Sequence, residues 1–144
     1  MNERGATLVE LLIAMGVLAL TAALAGEGFG EAATRQKGKA MRTELAAELR
    51  AARHLAMIRR ERIRVVFDLI AMQVRTEPAD HPGTVLREYD YHGKGIIVEG
   101  LSNGTSVIFY PSGRAATPTT IILTNAARED WKMTVSITGR ISVL

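Results

Sequence analysis

The first apolar segment, residues 6–25, is a run of twenty positions with a single charged residue, Glu10. A helix rises about 1.5 Å per residue, so this length spans the hydrocarbon core of a bilayer, about 30 Å thick. The pattern therefore predicts a membrane-spanning helix over residues 6–25. Two alternatives stay open. Ala23–Ala25 offers the small residues of a secretory cleavage site, and Glu10 either has a partner within the membrane or lies near enough to the interface to stay hydrated.

A second helical pattern runs from residue 31 to about Arg60. Its apolar residues recur at steps of three and four: Met41, Leu45, Leu49, Ala52, Leu55, Ala56 and Ile58. This spacing predicts an amphipathic helix that packs one stripe against a domain. Residues 26–30 between the two patterns contain three glycines, each of which weakens a helix interior by roughly 0.5–1 kcal/mol relative to alanine. We therefore expect a bend or a break there, although a short linker after a membrane span has the same composition.

Beyond residue 62 the hydrophobic period changes to that of strands. The predicted strands are Ile63–Asp68, Met72–Thr76, Val85–Tyr91, Gly95–Glu99, Ser106–Tyr110, Thr119–Thr124, Lys132–Thr138 and Arg140–Val143. Turn residues separate several of them, notably at 92–93, 102–104 and 111–113. A long helix followed by strands about every ten residues predicts an α+β fold, with the helix packed on an antiparallel β-sheet.

Composition narrows the class of protein. With 144 residues, 47% of them apolar and 23% charged, the chain can form one globular domain. It has no cysteine, which excludes disulfides, thiolate metal sites and thiol catalysis. His54, His81 and His92 stand apart, and no catalytic or metal-binding motif is present. We therefore expect neither an enzyme nor a cofactor.

The net charge of +3 is unevenly distributed. Residues 35–64 contain ten basic residues and three acidic ones. A concentrated basic face suits nucleic-acid phosphates, acidic lipid headgroups or acidic neighbouring proteins. The alternative is a solvated helix face on which Glu44 and Glu48 pair with nearby basic residues.

Residues 5–14 read Gly-Ala-Thr-Leu-Val-Glu-Leu-Leu-Ile-Ala, which resembles the processing and assembly signature of type IV pilins and type II secretion pseudopilins. The resemblance implies that a prepilin peptidase cleaves after Gly5 and that Ala6 becomes the methylated N-terminus. It also implies that Glu10 meets the N-terminal amine of a neighbouring subunit during assembly. Two positions differ from the family: Ala6 stands where phenylalanine is usual, and Glu27 stands where many relatives have proline.

The same resemblance implies a location and partners. Residues 1–5 would be a cytoplasmic leader, residues 6–30 the transmembrane and assembly helix, and residues 31–144 a periplasmic domain held at the bacterial inner membrane. The positive-inside rule favours the opposite orientation, because the basic residues follow the span. We follow the resemblance, since pilin processing requires the leader inside. The implied partners are other pilins in a filament, the prepilin peptidase and the inner-membrane assembly platform.

The C-terminal half is similar to one group within these proteins. Residues 109–115, 121–123 and 133–141 resemble the C-terminal pattern of the GspH/FimT group. The motifs at 111–113 and 138–140 are predicted turns in which glycine supplies a positive φ. With the N-terminal signature, the resemblance covers nearly the whole chain and implies a pilin-like fold.

Two functions follow from this resemblance. We expect a minor pseudopilin of a type II secretion system; the alternative is a FimT-like minor type IV pilin that takes part in pilus assembly and binds DNA during uptake. DNA-binding members of the group share a Gly-Arg-x-Arg turn, but here Ser142 stands where the second arginine would be. Arg50, Arg53 and Arg140 are the candidate contacts with DNA or a protein partner. We therefore expect at most weak, non-specific DNA binding.

Overall fold

The computed structural model describes residues 7–125 and 128–144, with the side chains of residues 24–35 outside that description. One helix, α1, spans Leu8–Arg59, and the chain divides into two compact units, Met1–Gln36 and Lys37–Leu144. The backbone is helical across residues 26–30, so the expected break does not occur there. Glycine keeps the N–H donor that proline lacks and lowers helix stability only modestly, so a continuous helix is tolerated.

The described part of the first unit is the beginning of α1. Thr7 caps this helix, since its Oγ1 and its carbonyl oxygen both accept from the Glu10 N–H, at 3.3 and 3.0 Å. Within the described residues, no helix is both long and apolar enough to cross a membrane. The predicted span 6–25 includes Ala6 and the side chains of residues 24 and 25, which lie outside that description.

Eight strands follow α1, at positions close to those predicted. They are β1 (Ile63–Asp68), β2 (Gln73–Pro78), β3 (Arg87–Asp90), β4 (Ile96–Leu101), β5 (Ser106–Phe109), β6 (Thr119–Asn125), β7 (Asp130–Val135) and β8 (Ile141–Val143). All their pairings are antiparallel. The predicted α+β fold, a long N-terminal helix followed by antiparallel strands, is confirmed.

The strands form two sheets, where the sequence predicted one. The first sheet has the order β3-β2-β1-β5 and the second the order β4-β6-β7-β8. A single sheet of eight strands spaced about 4.8 Å apart would be roughly 34 Å wide, whereas a helix is about 10 Å across. One helix would leave most of such a sheet uncovered. Two narrower sheets bring more of their inner faces into one core with α1.

A single cluster of buried apolar side chains joins α1 to both sheets. The helix contributes Met41, Leu45, Ala46, Leu49, Ala52 and Ala56. The sheets contribute Ile63, Val65, Phe67, Val74, Val107 and Phe109 from the first, and Ile96, Val98, Ile121, Leu123, Met133 and Val135 from the second. The predicted stripe is therefore correct except at Ile58, which is 77% exposed. Ile58 lies two residues after Ala56, about 200° around the helix, and so faces away from the core.

Charged and polar side chains attach β3 to α1. Arg87 donates to both carboxylate oxygens of Glu48, at 2.9 and 3.1 Å. Tyr89 and Lys94 donate to one oxygen of Glu44, at 2.8 and 2.6 Å. These bonds hold the pKa of Glu44 below its ordinary value, and burial together with Glu44 raises the pKa of Tyr89 to about 12. Glu44 and Glu48 therefore pair with β3 and the loop after it.

Candidate functional site

Two hairpin turns, Tyr110–Arg114 and Ser136–Arg140, have the same backbone geometry. In the first turn the Gly113 N–H donates to the Tyr110 carbonyl and the Tyr110 N–H donates to the Arg114 carbonyl, both at 2.8 Å. In the second turn, Gly139 and Ser136 make the equivalent bonds at 2.8 and 2.9 Å. Both glycines have φ of +77°, which confirms the positive φ predicted for these motifs. This is the three-residue hairpin connection that ends on a left-handed glycine.

The two turns lie against each other. The Ala115 N–H donates to the Ile137 carbonyl at 3.1 Å, which links the end of the first turn to the second. A Cβ added to Gly139 would lie 1.9 Å from the carbonyl oxygen of Gly113. Glycine is therefore required at position 139 for two reasons, the sign of φ and the absence of space. Because the turns follow strands of different sheets, their contact joins the two sheets.

Arg53 of α1 packs into the junction of the two turns. Its Nε donates to the Gly113 carbonyl at 2.8 Å, and a Cβ on Gly139 would lie 2.8 Å from the same Nε. Met57, one helical turn further on, also packs against Gly113, since a Cβ there would lie 2.9 Å from the Met57 sulfur. Arg53 thus has a structural partner that its position in a basic helix did not suggest. We call Arg53 and these two turns the arginine junction.

The other predicted arginines are exposed. Arg50 lies one helical turn before Arg53, and Arg140 follows Gly139 in the second turn. Within the described residues, neither side chain has a hydrogen bond or ion pair. The structure therefore brings Arg53 and the Arg140 turn together and leaves Arg50 and Arg140 available for a partner.

Arg114 is an exposed residue that the sequence pattern alone did not indicate as a contact. It follows Gly113 as Arg140 follows Gly139, so the two turns present arginine at equivalent positions. The repeated Gly-Arg pair at 113–114 and 139–140 was the signal in the sequence. The two arginines are equivalent only because the two turns share the same geometry, which the sequence shows only indirectly.

The predicted processing and assembly residues lie at the N-terminal end. Gly5 and Ala6 are outside the described residues. Glu10 is exposed in the first turn of α1, three residues after the capping Thr7. Large apolar side chains around it are exposed as well: Leu8, Val9, Leu11, Leu12, Ile13, Met15, Val17, Leu18 and Leu20. A contiguous exposed apolar surface of this kind marks contact with a membrane or another protein.

A separate polar cluster lies on the first sheet, where Arg64 of β1 pairs with Glu77 of β2. Glu77 is buried; one carboxylate oxygen accepts from Arg64 Nε at 2.9 Å and the other from the Gly83 N–H at 2.7 Å. Burial alone would raise the pKa of Glu77, but these bonds outweigh it and hold the pKa below its ordinary value. One oxygen thus binds the neighbouring strand β1, and the other holds the loop after β2. Among the described residues, no group of three or more acidic or histidine side chains is placed to bind a metal ion.

The chain matches two family models. The model described as type II transport protein GspH matches residues 42–139, and that of the prokaryotic N-terminal methylation motif matches residues 1–26. The first match contains Arg53, Gly113 and Gly139 of the arginine junction, and the second contains Glu10. No curated protein matches the chain.

Solved structures of two bacterial proteins are similar to this fold. The type IV minor pilin FimU of Pseudomonas aeruginosa is 17% identical with a TM-score of 0.65, covering 76% of this chain and 90% of its own. The minor pseudopilin EpsH from the type 2 secretion system of Vibrio cholerae is 16% identical with a TM-score of 0.58, covering 74% of this chain and 94% of its own. At these identities the similarity shows a shared fold.

Proposed function

Because the chain belongs to the GspH family of type II transport proteins, we propose that it is a minor pseudopilin of a type II secretion system. In this role it is a structural subunit of a periplasmic filament that drives protein export, and it has no catalytic activity. The observation that carries the proposal is the GspH match over residues 42–139, two thirds of the chain, together with the N-terminal methylation motif. A pilin-like protein follows from the family; the choice of a secretion system over a pilus is the proposed part.

We propose that residues 6–25 hold the chain in the inner membrane before assembly. The leader, residues 1–5, is then cytoplasmic and the domain at residues 31–144 is periplasmic. The exposed apolar side chains from Leu8 to Leu20 support this arrangement, since they have no partner within their own unit among the described residues. After extraction from the membrane by the assembly platform, the same side chains would pack against helices of neighbouring subunits.

Processing would occur between Gly5 and Ala6, by a prepilin peptidase. A bulky residue at position 5 should block cleavage and leave a precursor five residues longer than the mature chain, which mass spectrometry of the purified protein detects. A mature N-terminus after Ala25 would instead identify residues 1–25 as a secretory signal and exclude the pilin assignment.

Glu10 would pair with the N-terminal amine of a neighbouring subunit. Its position three residues after Thr7 also fits a capping box, in which a glutamate or glutamine side chain supports the helix N-terminus. Glu10→Gln preserves this capping ability and removes the charge, so it separates the two roles. We expect Glu10→Gln and Glu10→Ala to reduce co-purification with other pilins equally, without changing the melting of the domain. Normal co-purification of Glu10→Gln would mean that the charge has no role in assembly.

The choice between the two systems is tested in the source bacterium. Deletion of the gene should abolish export of folded proteins across the outer membrane while leaving pili and DNA uptake intact. Re-expression of the wild-type chain should restore export, and re-expression of the Glu10→Gln variant should not. Loss of pili or DNA uptake with normal export would contradict the secretion assignment.

A FimT-like minor pilin that binds DNA is the second candidate. The exposed arginines Arg50 and Arg140, without partners among the described residues, favour it. The test is a titration of the full chain with duplex DNA at two salt concentrations. We expect weak binding that is lost at physiological ionic strength and scarcely changed by Arg140→Ala, because a few phosphate contacts give affinity that falls steeply with salt. Tight binding that survives the higher salt and is lost in Arg140→Ala would favour the DNA-uptake function.

A further inference from the structure

Two of the four sheet edges are protected by charge. β3, at the edge of the first sheet, has charged side chains at three of its four positions. β4, at the edge of the second sheet, has Glu99 at a β-bulge between Val98 and Gly100. Charged residues and bulges on an edge strand prevent it from pairing with strands of other molecules.

The third edge is covered by the chain itself. β5 is the other edge strand of the first sheet, and the segment after the first turn runs beside it. The Ala116 N–H donates to the Ile108 carbonyl at 2.8 Å, and Ala115 forms a bridge with Phe109. This cover leaves little of the β5 edge for another strand.

The fourth edge, β8, has none of these protections. Ile141–Val143 contains no charge, no proline and no bulge, and it pairs only with β7 among the described strands. The bonds from the Ser136 N–H to the Arg140 carbonyl and from the Leu144 N–H to the Lys132 carbonyl fix its register. Since hydrogen-bonded positions alternate along an antiparallel strand, the backbone polar groups of Ile141 and Val143 point away from β7.

We propose that β8 pairs with β8 of a second copy of this chain, antiparallel and centred on Ser142. Ile141 of each copy then lies opposite Val143 of the other, and both present the backbone groups that face away from β7. Arg140 lies opposite Leu144, so no like charges face each other across the new ladder. This pairing rests on the sheet edges alone and does not depend on the proposed function.

Among the edge strands of a second copy, β8 is the one best able to pair with this edge. Its β3 and β4 edges carry charges and its β5 edge is covered, so β8 is the unprotected edge among its described strands. The ladder is short, with about four hydrogen bonds. An interface of this size lies well below the roughly 1,200–2,000 Å² of a stable complex. Pairing is therefore transient between free copies and persistent where a membrane or an assembly holds copies close together.

Disulfide trapping detects such a transient pair. The chain has no cysteine, so Ser142→Cys introduces its one thiol, and a disulfide between two copies must join them at this position. At the centre of the proposed ladder the two Ser142 residues form a non-hydrogen-bonded pair with Cα atoms about 4.5 Å apart, a spacing that permits a disulfide. Ser112→Cys, exposed in the first turn, is the matched control for random collision.

The experiment uses the full chain in bacterial membranes, oxidised mildly and separated on a non-reducing gel. We expect the yield of Ser142→Cys dimer to exceed that of Ser112→Cys at least about tenfold. Adding Val143→Pro should reduce the dimer to the control level, because proline removes an N–H that faces away from β7 and leaves the β7–β8 bonds intact. If proline lowers the melting temperature, Val143→Lys serves as the second variant. It places a charge on the same edge and should also reduce the dimer to the control level.

Three results would overturn the proposal. They are a Ser142→Cys dimer yield no higher than that of Ser112→Cys, a dimer yield unchanged by both Val143 substitutions in a folded chain, and cross-linking of Ser142→Cys mainly to a different protein. The last result would identify β8 as a docking edge for another partner. None of the three bears on the secretion assignment, which the Glu10 and deletion experiments test separately.

Discussion

Replacement of Gly139 by alanine tests the arginine junction directly. A positive φ costs an alanine about 1–2 kcal/mol relative to glycine. The added Cβ would also lie 1.9 Å from the Gly113 carbonyl oxygen, so the two turns must move apart. That movement weakens two hydrogen bonds, from Ala115 to Ile137 and from Arg53 to the Gly113 carbonyl. These bonds are worth about 1 kcal/mol for the neutral pair and about 1.5–3 kcal/mol for the charged donor.

The expected loss of unfolding free energy is therefore about 3–6 kcal/mol, a large part of the roughly 5–15 kcal/mol that stabilises a typical domain. Gly104→Ala is the matched control. Gly104 has φ of +60°, but a Cβ there meets nothing within 4 Å, so only the backbone cost of about 1–2 kcal/mol applies. The difference between the two variants measures the contact between the turns.

Urea or thermal unfolding of the full chain, followed by the fluorescence of Trp131, supplies the measurement. Trp131 is the one tryptophan of the chain, and it is half-buried beside the core with the Arg42 guanidinium 4.5 Å from its ring. Equal destabilisation by Gly139→Ala and Gly104→Ala would show that the turns are not in contact, and the role assigned to the arginine junction would be refuted.

Three further predictions follow from individual contacts. Arg53→Ala should lower the unfolding free energy by about 1–3 kcal/mol through loss of its hydrogen bond, whereas Arg50→Ala, exposed one turn earlier, should change it by less than about 0.5 kcal/mol; urea unfolding distinguishes the two. Because its neighbours lower the pKa of Glu77 from 4.5, the charged form stabilises the fold above about pH 4.5, and this contribution is lost as the pH falls through the folded-state pKa. Glu77→Gln should therefore flatten the acid side of the melting-temperature profile, and an unchanged profile would contradict this assignment. A double-mutant cycle on Glu48 and Arg87 should give a coupling of about 0.5–1 kcal/mol that decreases in high salt; a salt-independent value would exclude an exposed ion pair.

The sequence predicted the elements of this fold better than their arrangement. Each of the eight strands was identified from alternation and turn residues, because these signals are local. The division into two sheets could not be predicted. Strands β1 and β6 have the same alternation of inward-facing residues whether they share a sheet or not. The pairing of β5 with β1, four strands earlier in the chain, is a long-range choice that the local pattern does not contain.

The arginine junction shows the same limit at the level of single residues. Arg53 had the signature of a solvated basic helix, but its partner, the Gly113 carbonyl, lies 60 positions later in the chain. Glu48 likewise had basic neighbours on its own helix, yet it pairs with Arg87, 39 positions away. The glycine φ values were predictable because a turn is local. The contact between Gly113 and Gly139 was not, because it depends on how two sheets meet.

Because ion pairs hold β3, this edge strand depends on salt in a way that the core does not. In β3 only Tyr89 is half-buried, and its remaining side chains are exposed. Added salt weakens exposed charge pairs and leaves buried apolar contacts largely unaffected, so the two regions respond differently to the same medium. Detachment of β3 is then a local opening with its own free energy, and its amide protons exchange with solvent before those of β1. The ionic composition of the surroundings thus changes how often β3 opens, while the core stays closed.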